Sequence, residues 1–211
     1  MSQTLTINPK DPEFDIVQKA AGFLRDGNVI SYPTETFYGL GVDITNEKAI
    51  KKLYELKRRD YSLPIAMLVA DKAMIEDYIG PVNESVTNLI KAFWPGPLTI
   101  LFPAGPKISK SLTTNTGKIG IRISSHPVAT AIVREFGKPI TTTSANLSGY
   151  PPSLTTRHVQ KYFKDKIDLI IDGGESEPSR GSTVIDVSED TMAIIRDGAI
   201  PAEKVIKIFQ Q

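Results

Sequence analysis

The chain of 211 residues is 40% hydrophobic and 23% charged with a net charge of +1, so it can bury one sizeable core and needs a local patch to bind polyanions. It has no cysteine and two isolated histidines, which excludes disulfide scaffolds, thiol nucleophiles and histidine-based metal sites. Neither a signal peptide nor an apolar run of membrane-spanning length occurs, so we expect a cytoplasmic protein with a single domain over residues 1–211.

Apolar periodicity predicts helices and strands that interleave along the chain without strict alternation. Helices are expected at residues 11–26, 46–59, 71–79, 84–93, 127–136, 155–163 and 201–209. Strands are expected at residues 28–33, 64–69, 98–102, 119–123, 139–143, 168–172, 183–186 and 192–196. The first helix would be capped by Asp11 and would bury Phe14. This order predicts an α/β sandwich around a mixed sheet.

The segment after the first predicted strand is rich in polar groups. Thr34, Glu35, Thr36 and Tyr38 bring three hydroxyls and a carboxylate to the end of a strand, where ligands commonly meet a mixed sheet. A ligand-binding turn is one interpretation. A tight connection whose hydroxyls cap local backbone is the other.

Cationic residues occur at two informative places. Lys57, Arg58 and Arg59 end a predicted helix, where they can bind a polyphosphate or simply complement the helix dipole. Arg122 lies inside an apolar strand, so it must be paired, exposed at an edge or directed into a cleft.

Hydroxyl and amide groups end a later predicted strand, at Ser144 and Asn146. This turn suits phosphate oxygens, and a purely structural hydrogen-bonded turn is the alternative. Ser182 follows a glycine-containing loop at residues 173–181 that we expect to be mobile beside a site, and Arg196 ends a late strand. With no evident general acid–base pair, these groups favour binding of an anionic substrate such as a nucleotide, with catalysis by positioning and charge stabilisation.

The order of several motifs resembles the YrdC/Sua family over nearly the whole chain. These motifs are PTETFYGLG at 33–41, Lys57-x-Arg59, WPGPLT at 94–99, IR at 121–122 with HP at 126–127, SANLSG at 144–149, STVID at 182–186 and RDG at 196–198. The resemblance implies a YrdC-like α/β sandwich with a twisted mixed sheet and a central cleft. It further implies the single-domain form, since two-domain members carry a C-terminal domain for which this chain is too short.

The resemblance also implies a nucleotidyltransferase. Members make threonylcarbamoyl-AMP and pyrophosphate from L-threonine, bicarbonate and ATP, with magnesium accompanying ATP, and tRNA-modifying proteins use the product to form threonylcarbamoyladenosine. The implied site residues are Lys57 and Arg59 on the triphosphate as catalytic groups, Ser144 and Asn146 on phosphate oxygens and magnesium, Ser182 and Arg196 on the nucleotide side, and Thr34 and Arg122 on the threonine. We expect Lys57 and Arg59 to project from their helix end.

Three residues depart from the family pattern. Asp60, Leu63 and Leu68 stand where members often have proline, asparagine and histidine, which leaves room for a paralogue with another substrate preference. A relative of the carbamoyl-adenylating module of hydrogenase maturation is one alternative. An RNA-binding paralogue without synthase activity is another, with Lys51, Lys52 and the cluster around Arg58 contacting phosphates.

Overall fold

The computed structural model describes residues 2–76, 78–114, 116–189 and 191–211. Within them, ten strands form one mixed sheet: β1 Gln3–Thr6, β2 Ile30–Tyr32, β3 Gly39–Gly41, β4 Ala66–Leu68, β5 Leu98–Pro103, β6 Lys118–Arg122, β7 Ile140–Ser144, β8 Leu169–Asp172, β9 Thr183–Asp186 and β10 Ala193–Arg196. Their order across the sheet is β1-β8-β2-β3-β7-β4-β6-β5-β9-β10. The pairs β1–β8, β2–β8, β4–β6 and β5–β9 are parallel, and the other pairs are antiparallel.

Eight α-helices connect these strands in the described part of the chain. They are α1 Phe14–Arg25, α2 Glu47–Lys57, α3 Ala73–Glu76, α4 Glu84–Phe93, α5 Lys110–Thr113, α6 Pro127–Phe136, α7 Thr156–Phe163 and α8 Ala202–Phe209, and a 3₁₀ turn at Lys164–Lys166 follows α7. None of the helices described is long and apolar enough to cross a membrane.

Local capping explains several helix boundaries. Asn46 accepts a hydrogen bond from the Ala49 amide (3.1 Å) and starts α2, and Arg58 ends it in a left-handed conformation. Pro127 starts α6, and Gly137, at a φ of 79°, ends it. The bounds of α6 agree with the prediction, whereas α2 starts one residue later and ends two residues earlier than predicted.

Two apolar cores lie on opposite faces of the sheet. Helices α1 and α6 cover one face, where their buried side chains meet Ile30, Leu68 and Leu169. Residues from α2, α4, α7 and α8 pack on the other face, against Met67 and Ile170 among others. Neighbouring residues of a strand point to opposite faces of the sheet. In the middle of the sheet both faces are covered, so both neighbours are buried. This arrangement confirms the predicted α/β sandwich with a mixed sheet.

Three elements were not predicted from the sequence: β1, β3 and α5. Strand β3 contains two glycines, which are poor strand formers, but the Tyr32 ring requires them. A Cβ at Gly39 would lie 3.1 Å from Tyr32 Cζ, and one at Gly41 would lie 2.8 Å from Tyr32 Cε1. The polar segment therefore leads into β3, which pairs antiparallel with β2. A turn was predicted from the sequence at the position of β3.

The expected start of the first helix is also wrong. Helix α1 begins at Phe14, after Glu13, and no side-chain cap bond is made there. Glu13 instead accepts a hydrogen bond from the Asn8 amide (2.9 Å). Phe14 is 66% exposed rather than buried, because it is the first residue of the helix.

Candidate active site

A cleft of about 390 Å³ opens on one face of the sheet. Along β5, Leu98 and Ile100 point into the core while Thr99 and Leu101 line the cleft, and β6 continues the alternation with Gly120 in the floor. A Cβ at Gly120 would lie 2.9 Å from the Ala66 Cβ. Glycine therefore keeps this part of the floor open.

Arg122 lines the cleft from the end of β6 and is paired. Its Nη2 lies 2.9 Å from Glu35 Oε2 and also donates to Thr36 Oγ1 (3.2 Å). Its Nε is buried and has no hydrogen-bond partner among the residues described. Of the three alternatives predicted from the sequence, Arg122 is paired and lines a cleft, and it is not exposed at an edge.

Glu35 is one of the polar groups identified in this turn from the sequence, but no role was predicted for it. Its Oε2 accepts from the Ser124 hydroxyl, and its Oε1 accepts from the Ser125 amide (3.1 Å). Burial raises the pKa of this carboxyl, but Arg122 and these hydrogen bonds outweigh burial and hold the pKa below its usual range. The buried strand arginine was the signal that a carboxylate partner was required.

Thr34 lies in the cleft wall, and its hydroxyl is engaged within the turn. Thr34 Oγ1 donates to the Phe37 carbonyl (2.6 Å) and accepts from the amides of Thr36 and Phe37 (both 3.2 Å). The structural interpretation of this segment is confirmed, since the hydroxyl caps local backbone. The turn also lines the cleft, and its binding of a ligand stays a prediction.

Ser182 and Arg196 lie together at another side of the cleft. Arg196 donates to the Ser182 carbonyl through Nε (3.0 Å) and Nη2 (2.7 Å), and Nη2 also reaches Ser182 Oγ (2.9 Å). Thr99 donates its hydroxyl to Ser182 Oγ (2.9 Å), a contact that the sequence did not indicate. Burial, and the positive charge of Arg122 as a smaller cause, lower the pKa of the Arg196 guanidinium.

Lys57 and Arg59 differ from each other in position. Arg59 lines the cleft and donates to the carbonyls of Leu63 (3.1 Å) and Pro64 (2.9 Å). Lys57 was expected to project from the helix end, and this is wrong. It is 2% exposed, and its ammonium donates to the carbonyls of Ser144 and Asn146, the latter at 2.8 Å. Burial, with the charge of Arg59 as a smaller cause, lowers the pKa of Lys57 to about 7.

The turn above Lys57 presents Ser144 to the cleft, whereas Asn146 lies outside the lining. Asn146 Nδ2 donates to the carbonyls of Leu147 (2.8 Å) and Tyr150 (2.7 Å), and its Oδ1 is buried without a partner in the described residues. Asn146 thus stabilises the turn, and Ser144 is the residue of this turn that lines the cleft and can contact a ligand.

The departures from the family pattern occupy distinct places. Leu68 is fully buried in the core beneath α6, and the Leu63 side chain is 47% exposed while its carbonyl accepts from Arg59. Asp60 accepts from the Ser62 amide (2.8 Å). The loop at residues 173–181 ends at Gly181, which lines the cleft beside Phe37, and its mobility stays a prediction.

Among the residues described, the cleft lining holds three arginines, several hydroxyls and no carboxylate. No group of three or more histidine, aspartate or glutamate side chains that could hold a metal ion occurs in that part of the chain. Mg²⁺ is commonly held by substrate phosphates, water and one or two protein oxygens. The lining hydroxyls fit a magnesium ion that arrives on the phosphates of a nucleotide.

The fold and cleft define an α/β protein built to bind a ligand with several anionic groups. The family model Sua5_yciO_yrdC, described as telomere recombination, matches residues 22–198. The chain belongs to this family, as the motif order predicted.

Relatives and a solved structure give the same assignment. The chain is 38% identical over 200 residues to a threonylcarbamoyl-AMP synthase of Bacillus subtilis, covering 94% of the chain and 57% of that protein. It is 36% identical to a threonylcarbamoyl-AMP synthase of Vibrio campbellii, covering 88% of the chain and 98% of that protein. The structure of Pyrococcus abyssi Sua5 complexed with L-threonine superimposes with a TM-score of 0.93 at 33% identity, covering 98% of the chain and 61% of that one. The chain therefore spans less than two thirds of the B. subtilis and P. abyssi proteins.

Proposed function

We propose that this protein is an L-threonylcarbamoyladenylate synthase that acts on ATP, L-threonine and bicarbonate. The observation that carries the proposal is the convergence of Arg59, Arg122 and Arg196 with hydroxyl groups in one cleft whose described lining lacks carboxylates. The likeness to a threonine-bound structure supports threonine as a substrate, and the likeness to threonylcarbamoyl-AMP synthases supports the proposal of ATP and bicarbonate as the other two. The product would supply proteins that modify tRNA.

In this reaction the threonine amine and bicarbonate condense to a carbamate with loss of water. A carbamate oxygen attacks the α-phosphorus of ATP, the bond to the β-phosphate oxygen breaks, and pyrophosphate leaves with the electron pair. Negative charge grows on the leaving group, so fixed cations lower the barrier. Arg59 and Arg196 are the lining cations for this role, and Ser182 orients Arg196 from the nucleotide side.

Threonine would occupy the end of the cleft at Arg122. Arg122 lines the cleft, and its guanidinium can bind the amino-acid carboxylate. Thr34 would shape this end through its turn, since its hydroxyl is already used there.

Lys57 would act from beneath the turn. Its ammonium binds the carbonyls of Ser144 and Asn146, so it fixes the backbone that presents the Ser144 hydroxyl to the phosphates. Magnesium would enter as MgATP and neutralise phosphate charge, and the Ser144 hydroxyl, which lines the cleft, would help to hold it.

The test is pyrophosphate release from ATP by the purified protein with threonine and bicarbonate each left out in turn. We expect release only when both are present. Release that ignores threonine would overturn the synthase assignment. Absence of release, combined with RNA binding that weakens steeply with salt, would instead favour the RNA-binding alternative.

A further inference from the structure

Glu35 is a largely buried carboxylate beside the cleft, and it has no role in the proposed reaction. We propose that Glu35 is a positioning residue, which fixes the Arg122 guanidinium at the wall of the cleft so that it can bind the carboxylate of the amino-acid substrate. The inference rests on the proposed function for the identity of that carboxylate. The orientation of Arg122 itself can be tested without any substrate.

The first support is the way Arg122 is held. Its Nη2 forms an ion pair with Glu35 Oε2 (2.9 Å) and donates a hydrogen bond to Thr36 Oγ1 (3.2 Å). Both contacts come from the 33–38 turn, so this turn holds one side of the guanidinium. The Nε–H is buried without a partner in the residues described and contributes no contact that would order the guanidinium.

The second support is the anchoring of Glu35. The Ser124 hydroxyl and the Ser125 amide bind its two oxygens from the segment before α6. Glu35 therefore connects the 33–38 turn to the end of β6, and a carboxylate held by three groups is poorly placed to give way to an incoming ligand. This geometry favours a role in which Glu35 stays bound to Arg122. It argues against a role in which the carboxylate of the substrate displaces Glu35 from Arg122.

The third support is charge. The side chains of Arg122 and Glu35 are only 7% and 16% exposed, and a buried guanidinium that loses its partner is left uncompensated. With Glu35 ionised, Arg122 can stay at the cleft surface in one orientation, ready to bind a second carboxylate. Without that charge, the guanidinium would turn towards water or towards a ligand phosphate.

The direct test is NMR of the arginine Nε–H groups in the full chain. The signal of Arg122 is assigned by its disappearance in Arg122→Lys. We expect this signal to exchange with water at least about tenfold faster in Glu35→Gln, because the charge-assisted bonds that order the guanidinium are lost. Glu55→Gln, which removes an exposed carboxylate from α2, is the matched control and should leave the signal unchanged. An unchanged signal in Glu35→Gln would overturn the inference.

Calorimetry then connects the orientation to the substrate. In Glu35→Gln we expect the Kd for threonine to rise about tenfold while that for ATP changes less than about twofold. Tighter threonine binding would mean that Glu35 competes with the substrate, and it would also overturn the inference. If the wild-type protein binds ATP but no threonine while the NMR result holds, the proposed function fails and the positioning of Arg122 stands.

Discussion

At the scale of single residues, Arg58 and Arg59 show how one cluster divides its roles. Both come from the run that ends α2, but Arg58 is an exposed helix cap and Arg59 turns into the cleft. The sequence left polyphosphate binding and dipole compensation open as alternatives for the whole cluster. The structure assigns a different position to each neighbour, which no local pattern could separate.

Arg59→Ala should weaken ATP binding by about 10- to 100-fold, the usual cost of a lost hydrogen bond between charged groups. Arg58→Ala is the matched control, with an expected change below about twofold. Calorimetry with ATP measures both variants. Equal effects in the two variants would contradict a special role for Arg59.

Lys57 gives a pH-dependent prediction. Its pKa is about 7 in the folded protein, against an ordinary value of 10.5 in the unfolded chain. Between these values the unfolded chain binds the proton and the folded protein does not, so raising the pH stabilises the fold, by at most about 1.4 kcal/mol per pH unit. This stabilisation is complete above pH 10.5, decreases progressively as the pH falls from 10.5 to 7, and is absent below about pH 7.

The measurement is urea unfolding of the wild type and Lys57→Met at pH 7 and pH 9. The free energy of unfolding of the wild type minus that of the variant should increase with pH. A difference that stays flat would show that Lys57 keeps its proton when folded, held by the two carbonyls.

At the scale of elements, those specified by a local sequence pattern could be predicted, and those that form by pairing with a distant strand could not. Helix α6 and strand β9 follow the predicted boundaries because a proline, a glycine cap and an apolar run specify them locally. Strand β1 forms by pairing with β8, whose residues lie more than 160 positions away in the sequence. Such a partner leaves no mark on the β1 sequence, so β1 could not be predicted from it.

The turn after β10 provides a prediction at this scale. A Cβ on Gly198 would lie 2.5 Å from the carbonyl group of Ser182 and from the Thr183 amide. Gly198→Ala should therefore displace the β9–β10 unit, lower the free energy of unfolding by about 1–3 kcal/mol and weaken ATP binding through Ser182. Gly22→Ala in α1 has nothing within 4 Å of the added Cβ and should stabilise by up to about 1 kcal/mol. Equal unfolding midpoints for the two variants would contradict this account.

At the scale of the whole molecule, the cleft is assembled from segments that are far apart in the sequence. Polar groups reach it from the 33–38 turn, the end of α2, β6, the Ser144 turn and β10. The sequence identified most of these groups, because polar residues at strand ends are conspicuous, and the family resemblance supplied their roles. Burial of Lys57 and the pairing of Glu35 with Arg122 required the folded sheet.

The central claim is that AMP is transferred to a carbamate of threonine, and isotope labelling tests it most directly. The protein is incubated with ATP, threonine and ¹³C-bicarbonate, and the mixture is analysed at once by mass spectrometry. We predict a product that contains AMP and threonine and gains one mass unit from the labelled carbon, together with pyrophosphate. Formation of ADP, or an AMP-containing product without the label, would contradict the account.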